Sequence, residues 1–226
     1  MRLAVPALAA ALLAAAPAAA GTSTFTFEGG TNTGFVGAYT TLTLSSGGLD
    51  ITITRPGATF DVNDGATLAL PAIGAPTFGT LSLSPFVTGD DANPAPFVVD
   101  FSSGVDSFSV DFGDYGADLD DVFTLSLFSG AGGTGTLLGT GTFTYGASAF
   151  PVIGTLLVDA SSPALSAVFA GGGAEFPNSL YYDNLTATGA GFAGNVPEPA
   201  TWALLIGGIG ATGGALRRRR VTVRYA

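Results

Sequence analysis

The sequence predicts an all-β fold, an antiparallel β-sandwich or jelly roll, and three observations predict it. Apolar and polar residues alternate with period two along most of the body, as in Leu49-Asp50-Ile51-Thr52-Ile53-Thr54, which puts Leu49, Ile51 and Ile53 on one face. Thr, Val, Ile and Phe fill those runs, and these side chains suit a pleated, half-buried surface. Clusters of Gly, Pro, Asn and Asp separate the runs at short intervals, as turns and loops do. No stretch of the body carries a capped 3.6-residue period. Roughly ten to twelve short strands closed as two packed sheets is the simplest solution. A β-helix stands second, because Gly is abundant but no fixed repeat period is present.

Taken in order, Met1–Ala20 has one positive charge at Arg2, an Ala/Leu-rich core, and small residues at Ala18 and Ala20. That pattern predicts a helical signal peptide, cleavage after Ala20, and export by the secretion machinery. The β-domain is expected over 21–188. Its strands are read at Thr24–Phe27, Thr41–Leu44, Leu49–Thr54, Phe78–Leu83, Phe108–Phe112 and Phe123–Leu127. Thr142–Tyr145, Gly154–Val158, Ala164–Phe169 and Leu180–Thr188 complete the set. Ser46-Gly47-Gly48, Asp90–Pro94 and Gly130–Gly135 are read as turns. Gly189–Val196 is expected to be a flexible linker. A sorting segment over 197–220 and a short cytoplasmic tail over 221–226 follow.

Charge is partitioned. Between Gly21 and Asn195 lie 16 acidic residues and a single base, Arg55, about −15 in all. Such a surface repels nucleic acid and anionic lipid, so nucleic-acid binding is excluded as a function. The chain has no Cys, His or Lys. Disulfides are ruled out, and so are most nucleophile–base pairs and most zinc sites.

Two acidic constellations carry chemistry. Asp111-Phe112-Gly113-Asp114-Tyr115-Gly116-Ala117-Asp118-Leu119-Asp120-Asp121 puts five carboxylates in eleven residues. Asp111, Asp114 and Asp118 there can wrap a calcium ion, which takes six to eight oxygens. The same run also reads as a solvated acidic loop. The second constellation joins the ends of the body: Phe25-Thr26-Phe27-Glu28-Gly29 opens it and Tyr181-Tyr182-Asp183-Asn184-Leu185 closes it. These two strands resemble the first and last strands of jelly-roll carbohydrate-binding modules and related exported domains. The resemblance implies that Glu28 and Asp183 share a structural calcium ion. Tyr39, Tyr115, Tyr145, Tyr181 and Tyr182 are candidate sugar platforms, with core packing as the alternative.

The tail reads Val196-Pro197-Glu198-Pro199-Ala200-Thr201-Trp202, then an uncharged run to Leu216, then Arg217-Arg218-Arg219-Arg220. As a transmembrane helix, Ala200–Leu216 is about 25 Å long, just short of a typical hydrocarbon core. Trp202 marks its outer interface, and the arginines hold the other end in the cytoplasm. The tail resembles the PEP-CTERM sorting signal, in which a Pro-Glu-Pro triplet, an apolar helix and an arginine cluster occur in that order. Carried over, Pro197, Glu198, Pro199, Trp202 and Arg217 to Arg220 become recognition elements. Their partner is an exosortase, a membrane-embedded Cys protease or transpeptidase of Gram-negative bacteria.

The expected function is that of a non-enzymatic exported protein, held transiently at the inner membrane. Exosortase cleavage then passes it to the cell surface or to an extracellular polysaccharide matrix such as a biofilm. A calcium-stabilised carbohydrate-binding module is the alternative, and an extracellular hydrolase stands third.

Overall fold

A computed structural model describes residues 20–64, 79–88, 93–114, 121–145, 153–174, 176–190, 192 and 206–209. By contact density the chain divides into Ala19–Gly194 and a second unit made of the two termini. Within the second unit Ile206–Ile209 forms one helical turn. No helix among the described residues is long and apolar enough to cross a membrane. The expected signal peptide up to residue 19, with Ala18, and nearly all of the expected membrane helix lie outside the described residues, while Ala20 falls in the first strand.

In the larger unit every pairing among the described strands is antiparallel, which does not suit the β-helix. Its ten described strands are β1 (Ala20–Phe25), β2 (Thr41–Ser46), β3 (Leu49–Thr54), β4 (Asp61–Asn63), β5 (Ser82–Ser84), β6 (Phe97–Asp114), β7 (Val122–Phe128), β8 (Leu137–Thr144), β9 (Ile153–Gly172) and β10 (Leu180–Ala190). They run in the order β4-β5-β10-β6-β9-β7-β8, with β1 on β10 and the β2–β3 hairpin on β6. Gly47 and Gly48 turn that hairpin, both at positive φ (56° and 86°), as a two-residue loop matched to strand twist requires. A 3-10 turn, Ala131–Gly133, follows β7.

β6 and β9 hold the sheet together, and neither is legible as one strand in the sequence. Ser102-Ser103-Gly104 and Ser161-Ser162-Pro163 look like turns, yet the chain runs through both. The β6–β9 pairing shifts register between Asp100 and Ser107, and the side-chain parity switches with it. Phe97 and Val99 point inward before the shift, Phe101 and Val105 keep that parity within it, and Phe108, Val110 and Phe112 take the other parity after it. One residue of slip moves a strand's apolar set to the other face. Each long strand therefore serves two halves of the sheet. The first half of β6 pairs β3, and the second half pairs β10.

The two halves meet in one aromatic core. Tyr182 on β10 touches the rings of Phe97, Phe123 and Phe169, with centroids 5.6, 5.6 and 4.9 Å away. Phe112 stacks on Phe123 at 4.2 Å. Each such ring fully removed from water contributes about 1.5–3 kcal/mol. Burial also pushes the Tyr182 phenol well above its ordinary range, an effect that nearby Arg55 partly offsets. Of the candidate sugar platforms, Tyr145, Tyr181 and Tyr182 are buried, and Tyr39 stacks on Phe60 at 5.7 Å. Their rings pack inside rather than facing a ligand. Tyr115 lies outside the described residues.

The body is longer than the sequence suggests at its C-terminal end. Gly189 and Ala190, expected in the linker, still pair with Gly21 and Ala20. Phe192 belongs to the core at 2% exposure.

Candidate functional site

Three strands bring the acidic cluster together. Glu28 follows β1, which pairs with β10 along its whole length. Asp183 and Asn184 sit where the β10–β6 register shifts. Asp111 lies opposite Asp183 on β6. Asn184 is the one described non-glycine residue at positive φ, 45°, a conformation that Asn tolerates better than other residues. That turn lets the Asn184 backbone N–H donate to Asp183 Oδ1 at 2.7 Å and its side-chain Nδ2 donate to Asp111 Oδ2 at 2.9 Å. Thr155 from β9 donates to the other Asp111 oxygen.

The segment Gly79–Leu81 covers this cluster. Gly79 N–H donates to Asp183 Oδ2 at 3.3 Å, and Leu81 N–H donates to Glu28 Oε1 at 2.9 Å. Glu28, just after the first strand, and Asp183, in the last, therefore hold the same short segment through their carboxylates. Asp183 is buried at 1% exposure. Burial raises its pKa from 3.8 to about 6; the Asn184 and Gly79 amides oppose the rise, and the charges of Glu28 and Asp111 add to it.

The fit to calcium is poor. Both Asp183 oxygens already accept backbone N–H bonds, and among the described residues no group of three or more acidic side chains can hold a metal ion. Calcium needs six to eight oxygens, and this arrangement does not gather them. The Asp111–Asp121 stretch is not one acidic loop either. Asp111 lies inside β6 and is buried, and Asp121 is buried and accepts from Ser179 Oγ at 2.8 Å. Asp114 ends β6, and Asp118 lies outside the described residues.

Two buried ionisable residues escaped the sequence reading. Arg55 is 1% exposed, and its five N–H donors all find uncharged acceptors. Nε donates to Ala95 O, Nη1 to Thr59 O and Pro85 O, and Nη2 to Asn93 O and Asn178 Oδ1, at 2.7–3.0 Å. The guanidinium carbon also sits 5.7 Å from the Phe97 ring centre. An open concavity of about 570 Å³ lies over this residue, lined by Thr40, Thr54 and Arg55–Thr59. With its five N–H groups engaged, the guanidinium has no spare donor to offer it. Asp61, fully buried, accepts from Thr33 Oγ1 and from the amides of Gly37 and Ala38 at 2.7–2.9 Å. The one available signal was position: each residue directly follows or opens a strand beside a Gly-containing turn, and Arg55 is the only base of the body.

Residues 195–220 match the PEP-CTERM protein-sorting motif. The chain carries that sorting signal. The motif covers Pro197, Glu198, Pro199, Trp202 and Arg217 to Arg220, which apart from Ile206–Ile209 lie outside the described residues. No curated protein matches the chain. Among solved structures, it is similar to the K2 cleaved adhesin domain of Lys-gingipain, at 15% identity and a TM-score of 0.46, over 75% of this chain and 100% of that one. It is also similar to CBM29_1, a family 29 carbohydrate-binding module from Piromyces equi, at 10% identity and a TM-score of 0.36, over 75% and 90%. The PEP-CTERM motif implies an exported surface protein that an exosortase processes.

Proposed function

We propose that this is a non-enzymatic structural protein of the cell surface or extracellular polysaccharide matrix of a Gram-negative bacterium. The β-body, closed as a jelly-roll sandwich, is the delivered part. A signal peptide exports it, and the tail spans the inner membrane until the exosortase acts. One peptide bond near Pro197-Glu198-Pro199 breaks, and its acyl carbon passes to water or to an acceptor nucleophile. The observation that carries this reading is the sorting motif at 195–220, set directly behind a folded acidic body.

Composition supports the non-enzymatic part, since a chain without His, Cys or Lys lacks most of the nucleophile–base pairs that catalysis uses. At about −15 the body has no attraction of its own for an anionic membrane. Its retention there depends on the tail. The test is the intact mass of the mature protein from a host that contains an exosortase. Loss of Arg217 to Arg220 is expected, and a product still carrying them refutes processing. Replacing Pro197, Glu198 and Pro199 with alanine is expected to hold the protein in the inner-membrane fraction.

A further inference from the structure

We propose that β8 is a self-association edge: two copies of this chain pair β8 to β8, antiparallel about a two-fold axis, and join their sheets. The proposal concerns the folded body alone and does not depend on the exosortase reading. Among the described residues β8 ends the strand order, with β7 as its one partner in the sheet. The first half of β9 lies beneath β8 rather than beside it. A Cβ on Gly139 or Gly141 would run into Val158, Leu156 and the Asp159 carbonyl, and a Cβ points out of the plane of its sheet. The side of β8 turned away from β7 therefore presents its backbone N–H and C=O groups to no described strand.

Sheet edges of this kind are usually blunted by a charge, a proline, a bulge or short length. β8 is eight residues long and has neither charge nor proline. Its register irregularity lies at the start, between the pairs Leu127–Gly139 and Phe128–Leu137. The other edges are guarded. β2 has Asp50 opposite Ser45 and bonded to its hydroxyl at 2.6 Å. β4 is three residues long and contains Asp61. β1 is covered by the β2–β3 turn, where a Cβ on Gly47 would collide with Ser23 Oγ. The first half of β9 ends on the exposed Asp159.

Charge selects the occupant. From Val122 to Ala174 the chain carries one charged residue, Asp159, while the body as a whole stands at about −15. Two copies repel wherever their acidic surfaces face each other. The side built from β7, β8 and β9 is where they meet without that repulsion. A cationic partner would be drawn to the acidic remainder instead. Thr140, Thr142 and Thr144 are the exposed residues along β8, so a two-fold antiparallel pairing sets threonine beside threonine, a favourable cross-strand pair. Leu137, at the start of β8, and Leu157, beside Val158 on β9, are more than half exposed. They give this uncharged side apolar surface that association removes from water. With one such edge per copy among the described strands, pairing closes at a dimer rather than a fibre.

The experiment uses the full-length chain, which has no native cysteine, in nonionic detergent micelles. A single cysteine replaces Thr142, or Thr43 on β2 as a control, and a short bis-maleimide captures neighbouring copies. Thr142→Cys is expected to give a covalent dimer several-fold more readily than Thr43→Cys. Light scattering of the wild-type chain is expected to show a dimer that strengthens as salt screens the two acidic bodies. Thr142→Asp sets like charges across the axis and is expected to raise the dissociation constant about tenfold. Thr142→Lys acts the same way, and mixing the two variants is expected to restore the dimer. Position 142 is exposed, so the melting curves of both variants should match wild type. A chain that stays monomeric at millimolar concentration overturns the proposal. So does a dimer that Thr142→Asp leaves intact, or equal crosslinking at position 43, since either places the contact on another surface or in the tail.

Discussion

Arg55 Nη2 donates to Asn178 Oδ1 at 2.7 Å across 123 residues of sequence. With its four other donors, this bond makes one buried side chain the tie between four connecting segments: Arg55–Thr59, Pro85, Asn93–Ala95 and Asn178. Arg55→Ala would leave those acceptors without their donor in a water-poor site, and each orphaned group costs about 1–3 kcal/mol. A loss on the order of 4 kcal/mol is expected in denaturant unfolding. Arg55→Lys keeps the charge but not the five-donor fork, and is expected to lose about 2 kcal/mol. A change below about 1 kcal/mol in Arg55→Ala would show that the tie is not structural.

Asp61 plays the complementary part, an acceptor gathering donors. Asp61→Ala strands the Gly37 and Ala38 amides and leaves the Thr33 hydroxyl only its contacts with the Val62 backbone, so a destabilisation of about 2–4 kcal/mol is expected. Asp61→Asn preserves one acceptor oxygen and should fall between the two. Limited proteolysis is the sharper readout. Cleavage within Thr33–Ala38 should quicken in Asp61→Ala before the body as a whole unfolds.

Asp183 gives a pH dependence of unusual sign for a carboxylate. Its folded pKa, about 6, lies above the ordinary 3.8. Between those values the folded protein holds a proton that the unfolded chain has lost, so stability falls as pH rises. The contribution is fully present below about pH 4 and gone above about pH 6. Relative to Asp183→Asn, the wild-type melting temperature is expected to drop on the order of 5 °C between pH 4 and pH 7. A constant difference across that range would refute the assignment.

Calcium is expected to matter little to the body. Glu28 and Asp183 are engaged with the amides of Leu81, Gly79 and Asn184. The melting temperature should therefore move by less than about 1 °C between chelator and millimolar calcium, since a ligand stabilises only by binding the folded state. A rise of several degrees with calcium would mean that the carboxylates rearrange around an ion.

The hairpin of β2 and β3 was fully legible, because its alternation and its Gly-Gly turn are local signals. β7 and β10 were read nearly to the residue for the same reason. β6 and β9 were not, since a parity switch inside a continuous strand looks the same as two short strands with a turn between them. Glu28 and Asp183 could be considered together because the motifs around them at the two ends of the body resemble those of carbohydrate-binding modules. Arg55 and Asp61 could not, because their partners are backbone groups of distant connections, which leave no mark in composition. The sorting tail was legible throughout, since its three features are ordered along the chain and need no fold.

The position of β10 bears on how the protein comes to be folded at all. The last strand lies between β1 and β6, so the first strand has no pairing partner until the final one arrives. Such distant pairing is slow to form. A chain exported N-terminus first would cross the membrane with its sheet necessarily incomplete, and would become a rigid body only after the last strand had emerged.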